Sequence, residues 1–506
     1  MSERSVKSWR FSAAFLALFV LSMGAMAQRA DGTLSGEVLD NNGAVVAKAK
    51  ITVTNDATNV SQVTETTGAG SYTVPNLLIG TYTVKIEATG FESYTRTKVE
   101  VKAAQVVEVS AKLSVGGEST VVEVQAGANA VQTETSQLTN SFSTLNVVEI
   151  PTGGGAGRSS QLNLAIFVPN TTAAAGGTSG TGGSVGGLRG RQNSFTIDGA
   201  NNDDPVVTVS SQPVIVDSVA EFAVSTNQYS AEYGHASGGQ FNTVLNSGTN
   251  QYHGSAWEYF QNRALNAGTH SEDAAIIAGT KTDKNRFDFN EFGGDLGGPI
   301  IKDHLFAYAS YQYNPVGFGS AATAITAPTA AGLASINALA ANQQVKDLAA
   351  QFPIAPTADR ASITVNGTPI AMGTFSAVAP SFTNQKDWYV GTDLNIRNHT
   401  MRWRYLDTSI VAPAFGSVPQ AQFSSSAIAT YKKGIFDEVY TISNRMVNDF
   451  KADASRLNSA FPLADLAATY PNVIITGMTG FSAASLADCL YHIKVSMNDN
   501  CLDRIA

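Results

Sequence analysis

The sequence predicts a mostly β protein: an N-terminal β-sandwich, then a small α/β unit, then an incomplete antiparallel transmembrane β-barrel. Three observations carry that prediction. Short stretches alternate apolar and polar residues with a period of two. Turn chemistry punctuates them, with 45 Gly in 506 residues and recurrent Asn, Asp and Ser clusters. Charged residues make up 14% of the chain and hydrophobic residues 43%, against roughly 25% charged in a typical soluble domain. That balance argues against a coiled coil and a cytosolic helical enzyme. The formal net charge of −9 argues against nucleic acid as a partner.

The chain opens with Arg4, Lys7 and Arg10, an apolar run from Phe11 to Met23, and the small-x-small pattern Ala25, Met26, Ala27. Residues 1–27 therefore read as a secretory signal peptide. An apolar run of about 13 residues is too short for a spanning helix, which needs ~20. Without the leader, which holds three basic residues and one acidic residue, the net charge is −11. No later apolar stretch is long enough to span as a helix, so membrane entry requires a barrel.

Residues 28–114 read as the sandwich. Tyr82, Val84, Ile86 and Ala88 share one face of a strand, and Thr81, Thr83, Lys85 and Glu87 the other. Ile51 with Val53, and Val107 with Val109, Ala111 and Leu113, repeat the pattern. The cluster Asp40, Asn41, Asn42, Gly43 is a turn, since it lacks the spacing and terminal Glu of a calcium loop. Residues 115–130 form a linker holding one strand-like stretch, 118–124. In residues 131–236, the segment 158–167 reads as a helical piece stopped by Pro169. The Gly-rich run 171–187 has no preceding strand and no Gly-Lys-Ser/Thr, so it reads as a loop and not a phosphate cradle.

Two resemblances follow from quoted residues. Residues 32–40 (Gly-Thr-Leu-Ser-Gly-Glu-Val-Leu-Asp), 70–77 and 80–91 resemble the carboxypeptidase regulatory-like, or transthyretin-like, domain. That resemblance implies a sandwich and no peptidase activity, because none of the six His sits in a zinc-peptidase setting. Residues 149–152 (Glu-Ile-Pro-Thr), 188–199 (Leu-Arg-Gly-Arg-Gln-Asn-Ser-Phe-Thr-Ile-Asp-Gly) and 216–222 resemble the plug domain of TonB-dependent outer-membrane receptors. Residues 230–244 and 293–308 resemble the Oar-like branch of that family.

The resemblance implies a plug that blocks a barrel, an extracellular ligand, and energy from TonB and its inner-membrane complex. Thr120, Val121, Val122, Glu123 and Val124 are the candidate TonB contact, a short stretch suited to strand addition. Asn201, Asn202, Asp203 and Asp204 are expected to form a solvated loop at the plug apex where ligand is met.

Residues 237–506 read as the first part of the barrel, with outer-membrane lipid as its surroundings. Trp388, Val390, Thr392, Leu394 and Ile396 alternate with Asp387, Tyr389, Gly391, Asp393 and Asn395. Met401, Trp403 and Tyr405 are expected to face lipid, and Arg402 and Arg404 the lumen. Trp257, Phe306, Tyr308, Trp388 and Trp403 are expected to form the aromatic girdle. Lys302 and Asp303 mark a hairpin turn; residues 315–385 mark a long outward loop with a short helix over 343–352. A half-buried soluble sheet alternates in the same way. The family barrel has 22 strands, which at ~10 residues each need ~220 before any loop. About eight to ten strands fit here, so the chain is expected to be truncated within the barrel.

Little chemistry stands out. Cys489 and Cys501 are candidates for a disulfide in an oxidising compartment, and His492 adds no metal-site spacing. No Ser/His/Asp set is evident. The sequence reads as a non-enzyme without a cofactor. Carbohydrate, peptide and metal chelate all stay open as ligands. A non-transporting surface or adhesion protein of the same architecture, or a secreted glycan-binding β protein, are the alternatives.

Overall fold

The computed structural model describes residues 31–116, 121–125, 137–150, 160–173, 182–205, 209–227, 229, 237–279, 283–319, 323–340, 343–350, 353–377, 380–413, 426–443 and 446–460. The leader, Thr120, His492, Cys489 and Cys501 lie outside the described residues. Strands dominate.

The first unit holds β1 (Gly32–Asp40), β2 (Lys50–Asn55), β3 (Ser61–Glu65), β4 (Ser71–Leu77), β5 (Gly80–Glu87), β6 (Ser93–Val101), β7 (Val106–Glu108), β8 (Ala111–Leu113) and β9 (Val121–Gln125). One sheet runs β4-β1-β7, with β8 also on β1; the other runs β3-β2-β5-β6-β9. The alternation in β5 puts Tyr82, Val84 and Ile86 inward, where they meet Leu34, Val38 and Val74 of the opposite sheet. This core is apolar. Its two buried tyrosines each find a backbone acceptor: Tyr72 donates to Val109 O at 2.6 Å and Tyr82 to Leu78 O at 2.8 Å. Burial pushes both phenols above their ordinary range, so they stay protonated.

The second unit is built on a sheet of order β10-β15-β16-β13-β14. Its strands are β10 (Leu138–Ser143), β13 (Ser194–Ile197), β14 (Ala200–Asn201), β15 (Val219–Asn227) and β16 (Gln240–Leu245), with a separate pair β11 (Thr171–Thr172) and β12 (Ser184–Val185). The helical piece read in the sequence is a 3-10 helix, Gln161–Phe167, capped by Ser160. Phe195, Phe222 and Phe241 close the core beneath it. Strand β16 pairs with β15 and β13. Residues 240–245 complete this sheet, and the next strand begins at His253.

The third unit is a single antiparallel sheet of seven strands: β17 (His253–Asn262), β18 (Phe287–Ile301), β19 (Leu305–Gly319), β23 (Pro380–Ile396), β24 (His399–Pro413), β25 (Ser426–Ser443) and β26 (Met446–Ala460). Among the described residues β17 and β26 are its edges, and seven strands stand where eight to ten were expected. Short turns join β18 to β19, β23 to β24 and β25 to β26; long connections occupy the opposite end. One of these carries its own sheet, of β20 (Thr323–Pro328), β21 (Arg360–Val365) and β22 (Thr368–Ala377), with helices Ala330–Leu339 and Gln343–Ala349. Short turns at one end and long loops at the other are the layout of an outer-membrane wall.

The first unit sits at the short-turn end. Asn59 Nδ2 and Asn250 Nδ2 both donate to Asp303 Oδ1, at 3.1 and 2.7 Å, and Asn250 N donates to Ala57 O at 3.0 Å. Asp303 holds a left-handed conformation (φ 63°) in the β18–β19 turn, which an Asp tolerates.

Candidate functional site: the seam between the wall and the inner unit

The period-two pattern sends opposite chemistry to the two faces of the wall. Trp388 is 54% exposed and Trp403 39%, while Tyr389 is 1% exposed. Arg402 and Arg404 point inward and are buried, as expected. The girdle expectation holds for Trp388 and Trp403 and fails for the other three. Phe306 and Tyr308 are buried on the inner face, and Trp257 packs against the inner cluster of Ile197, Ile215 and Tyr308. An aromatic ring fits lipid and a packed protein interior equally well, so identity alone does not assign its face. The outward aromatics are instead Phe292 with Tyr313, Tyr311 with Trp388, and Trp403 with Phe436.

The inward face forms a polar seam with the second unit. Arg404 donates from Nε to Asp198 Oδ2 at 2.9 Å and from Nη2 to Asp393 Oδ1 at 2.7 Å. Asp198 belongs to the Ile-Asp-Gly element. It turns β13 into β14 through a two-residue loop in which Asp198 and Gly199 have φ of 47° and 73°, the type I′ geometry that Asp-Gly favours. Its other oxygen accepts Leu245 N–H at 2.9 Å. One carboxylate thus ties the hairpin to β16 and to the wall. Gly391 leaves room for this: a Cβ there would lie 2.6 Å from the Tyr389 hydroxyl.

Arg402 grips Asp31 through both terminal nitrogens, at 2.7 and 2.8 Å, and also contacts Asp437 on β25. Asp31 immediately precedes β1, so the first unit is pinned to the wall by a bidentate pair. Lys433 donates to Asn201 O at 2.5 Å and to Asp453 Oδ2 at 2.9 Å. Lys451 donates to Asp198 O at 3.0 Å. Gln212 Nε2 donates to Thr408 Oγ1 at 3.0 Å, and Thr408 donates to Asp387 at 2.7 Å. Tyr389 OH donates to Asn246 O at 2.8 Å. Ion pairs this deep gain little net stability over apolar packing, but losing one partner strands the other. Such a seam is specific and separable.

The first and second units also touch. Ala103 N–H donates to Glu221 Oε1 at 3.2 Å, and burial raises the Glu221 carboxyl above its ordinary value despite that bond.

Of residues 201–204, expected as a solvated loop, Asn201 is exposed, Asp203 is half-buried, and Asn202 and Asp204 are buried. Asn202 is buried and holds Ser210 Oγ, Gln212 O and Gln212 N. Asp203 accepts Phe195 N–H at 2.7 Å and the Ser194 hydroxyl at 3.1 Å. Asp204 is buried, and Asn201 gives its carbonyl to Lys433. The polar run is the frame of a nested turn, which consumes its side chains locally. Of the candidate TonB contact, Val121, Val122, Glu123 and Val124 lie in β9, which runs parallel to β6 at the end of its sheet. Among the described residues no group of His, Cys, Asp and Glu is arranged to hold a metal.

Sequence reasoning found Arg402 and Arg404 by alternation and Asp198 by its motif. It missed Lys433 and Lys451, although Lys433, Ile435, Asp437 and Val439 show the same period of two inward. Nothing local marked Asp31 or Gln212, whose partners lie 371 and 196 residues away.

Comparison with known proteins places this geometry. The family described as "Outer membrane beta barrel domain" matches residues 244–500, and the "Carboxypeptidase regulatory-like domain" matches residues 33–114. The TonB-dependent transporter Oar of Myxococcus xanthus is 27% identical over 299 residues, covering 58% of this chain and 27% of that protein. The chain thus spans about a quarter of that relative's length. Solved structures that resemble it include the outer membrane transporter YddB from Escherichia coli, with a TM-score of 0.42, 10% identity and coverage of 63% of this chain and 39% of that one. The siderophore receptor PirA from Acinetobacter baumannii gives 0.31, 12%, 64% and 48%. The chain belongs to the outer membrane beta barrel domain family, carries a carboxypeptidase regulatory-like domain ahead of its barrel, and resides in the outer membrane.

Proposed function

We propose that this chain is the plug-bearing part of an outer-membrane receptor that transports a ligand under energy supplied by TonB. The observation that carries the reading is the seam. The wall holds the inner unit through Arg404, Lys433 and Lys451 on Asp198 and Asn201, set around a small apolar patch where Ile197, Ile215 and Leu245 meet Tyr308, Tyr389 and Leu406. A unit that must shift to open a path is better held by directional contacts that water can replace, around a small apolar patch, than by an extended core.

The proposed TonB contact is the stretch Thr120, Val121, Val122, Glu123 and Val124. Its support is position: β9 ends its sheet, and the first unit lies at the short-turn side of the wall, the periplasmic side in outer-membrane barrels. Strand addition uses such an edge. The test is co-purification of the full-length chain with the periplasmic domain of TonB. Wild type is expected to retain TonB and Val122→Pro to lose it. No retention by either chain overturns the energised reading.

A further inference from the structure

The sandwich touches both the wall and the inner unit, so it braces one against the other. On the wall, Arg402 holds Asp31 through both terminal nitrogens. At the rim, Asn250 N–H donates to Ala57 O at 3.0 Å and Asn59 Nδ2 donates to Asp303 Oδ1 at 3.1 Å. On the inner unit, the turn that follows β6 makes the contact. Ala103 N–H donates to Glu221 Oε1 at 3.2 Å, and Gln105 Nε2 donates to Ser141 Oγ at 3.4 Å. Ala103 is fully buried against Ala223 and Val244, with Ile79 beside them. The inner unit cannot shift along the wall until one of these two joints opens.

The joints differ in what they leave behind. Each wall anchor has a second partner on its own side. Arg402 also contacts Asp437 of β25. Asp303 also accepts Asn250 Nδ2 at 2.7 Å and donates its own N–H to Asn250 Oδ1 at 2.8 Å. Lys451 of β26 lies 3.9 Å from Asp437, and Asp449 faces the same group. With Asp31 gone, Arg402 and Lys451 still face Asp437 and Asp449, two charges against two. With Asp31 docked, a third carboxylate competes for the same cations. Release therefore leaves Arg402 paired, where losing a sole partner would strand it. The apolar part of the other joint has no such reserve: opening it exposes Ala103, Ala223 and Val244 to water, which nothing offsets.

We propose that the sandwich is an autoinhibitory brace: Arg402, contested between Asp31 and Asp437, latches it to the wall, and it lets go of the wall while still attached to the inner unit. Asp437 is a positioning residue. It keeps Arg402 in place for the return of Asp31 and weakens the grip on Asp31 by competition. The brace has a role only if the inner unit shifts, as proposed above. Strand β9 belongs to the sandwich, so a pull applied there loads the brace first.

The test is hydrogen exchange, resolved to single amides, on the full-length chain in lipid vesicles. One amide lies on each joint: Asn250 N–H on Ala57 O reads the wall side, and Ala103 N–H on Glu221 reads the inner-unit side. In wild type, Asn250 is expected to be about tenfold less protected than Ala103. Asp31→Asn is expected to lower the protection of Asn250 about tenfold and Asp437→Asn to raise it about tenfold, with Ala103 unchanged. Protection of β24 amides checks that each variant keeps its wall. An Ala103 less protected than Asn250 in wild type overturns the proposal without any variant. Asp437→Asn acting in the same direction as Asp31→Asn also overturns it, since Asp437 then only supports the docked state; so does no change in either variant. Restraint of the inner unit is read at Leu245 N–H, which donates to Asp198 Oδ1. A disulfide between Asn59→Cys and Asp303→Cys, in a chain carrying Cys489→Ser and Cys501→Ser, is expected to slow Leu245 exchange about tenfold against the same chain reduced. Equal rates overturn the brace alone. A Leu245 amide that exchanges only with global unfolding overturns the moving inner unit, and the brace with it.

Discussion

The sandwich interior and the lumen seam are both buried, but they are held differently: the sandwich by apolar packing, the seam by ion pairs set around a smaller apolar patch. In the sandwich, Leu34, Ile51, Val84 and Ile86 are fully buried against one another, and the hydrophobic effect acts without direction. In the seam, Asp31, Asp198, Arg402, Arg404 and Lys433 are also buried, and each contact needs particular partners in place, as Arg404 needs Asp198 and Asp393. The sandwich is a permanent object. The seam is a fitted contact between two objects, which fails sharply when a partner is lost and reforms when it returns.

Breaking a pair in the seam should have the largest effect. Asp198→Ala leaves Arg404 and the Leu245 N–H without that carboxylate. The expected loss is about 3–5 kcal/mol in equilibrium unfolding of the wall with its inner unit. Because the pair is buried, raising salt should change the loss little. Cutting the sandwich core comes next. Ile86→Ala should lower stability by about 2–5 kcal/mol, and the loss should fall on the first unit, read by hydrogen exchange, while β24 protection stays unchanged.

Smaller changes sharpen the comparison where the two regions meet. Asp303→Ala removes the acceptor for Asn59 and Asn250 at the rim. These bonds are exposed, so the loss should be at most about 1 kcal/mol. It should appear as faster proteolysis of the first unit with the wall intact. The smallest effect is a pH dependence. Burial raises the Glu221 carboxyl, so the folded chain binds its proton more readily than the unfolded chain. Its contribution is therefore fully present below the ordinary value, near 4.5, and is lost as pH rises from there through the raised value. Glu221→Gln should flatten that slope in thermal melts taken across the window.

The period of two made the wall legible, down to which side Arg402 and Arg404 take. It did not say which aromatics face lipid, because Trp257 and Tyr308 serve as inner packing. Polarity did not show that Asn202 and Asp203 would satisfy a nested turn's own backbone. Pairs such as Asp31 with Arg402 were out of reach, since nothing local records a partner that the fold brings from another unit. The Ile-Asp-Gly motif was legible as part of the plug resemblance; that it is a tight hairpin whose carboxylate also pins the wall is visible only once β24 lies beside it.

The central claim is that charge, matched across the lumen, holds the inner unit to the wall. A double-mutant cycle on Asp198 and Arg404 tests it most directly, using Asp198→Asn, Arg404→Gln and the pair in the full-length chain refolded into lipid vesicles. The account predicts a coupling of about 2–3 kcal/mol, with the double variant more stable than the two single losses sum to. Additive losses, with no coupling, would contradict it.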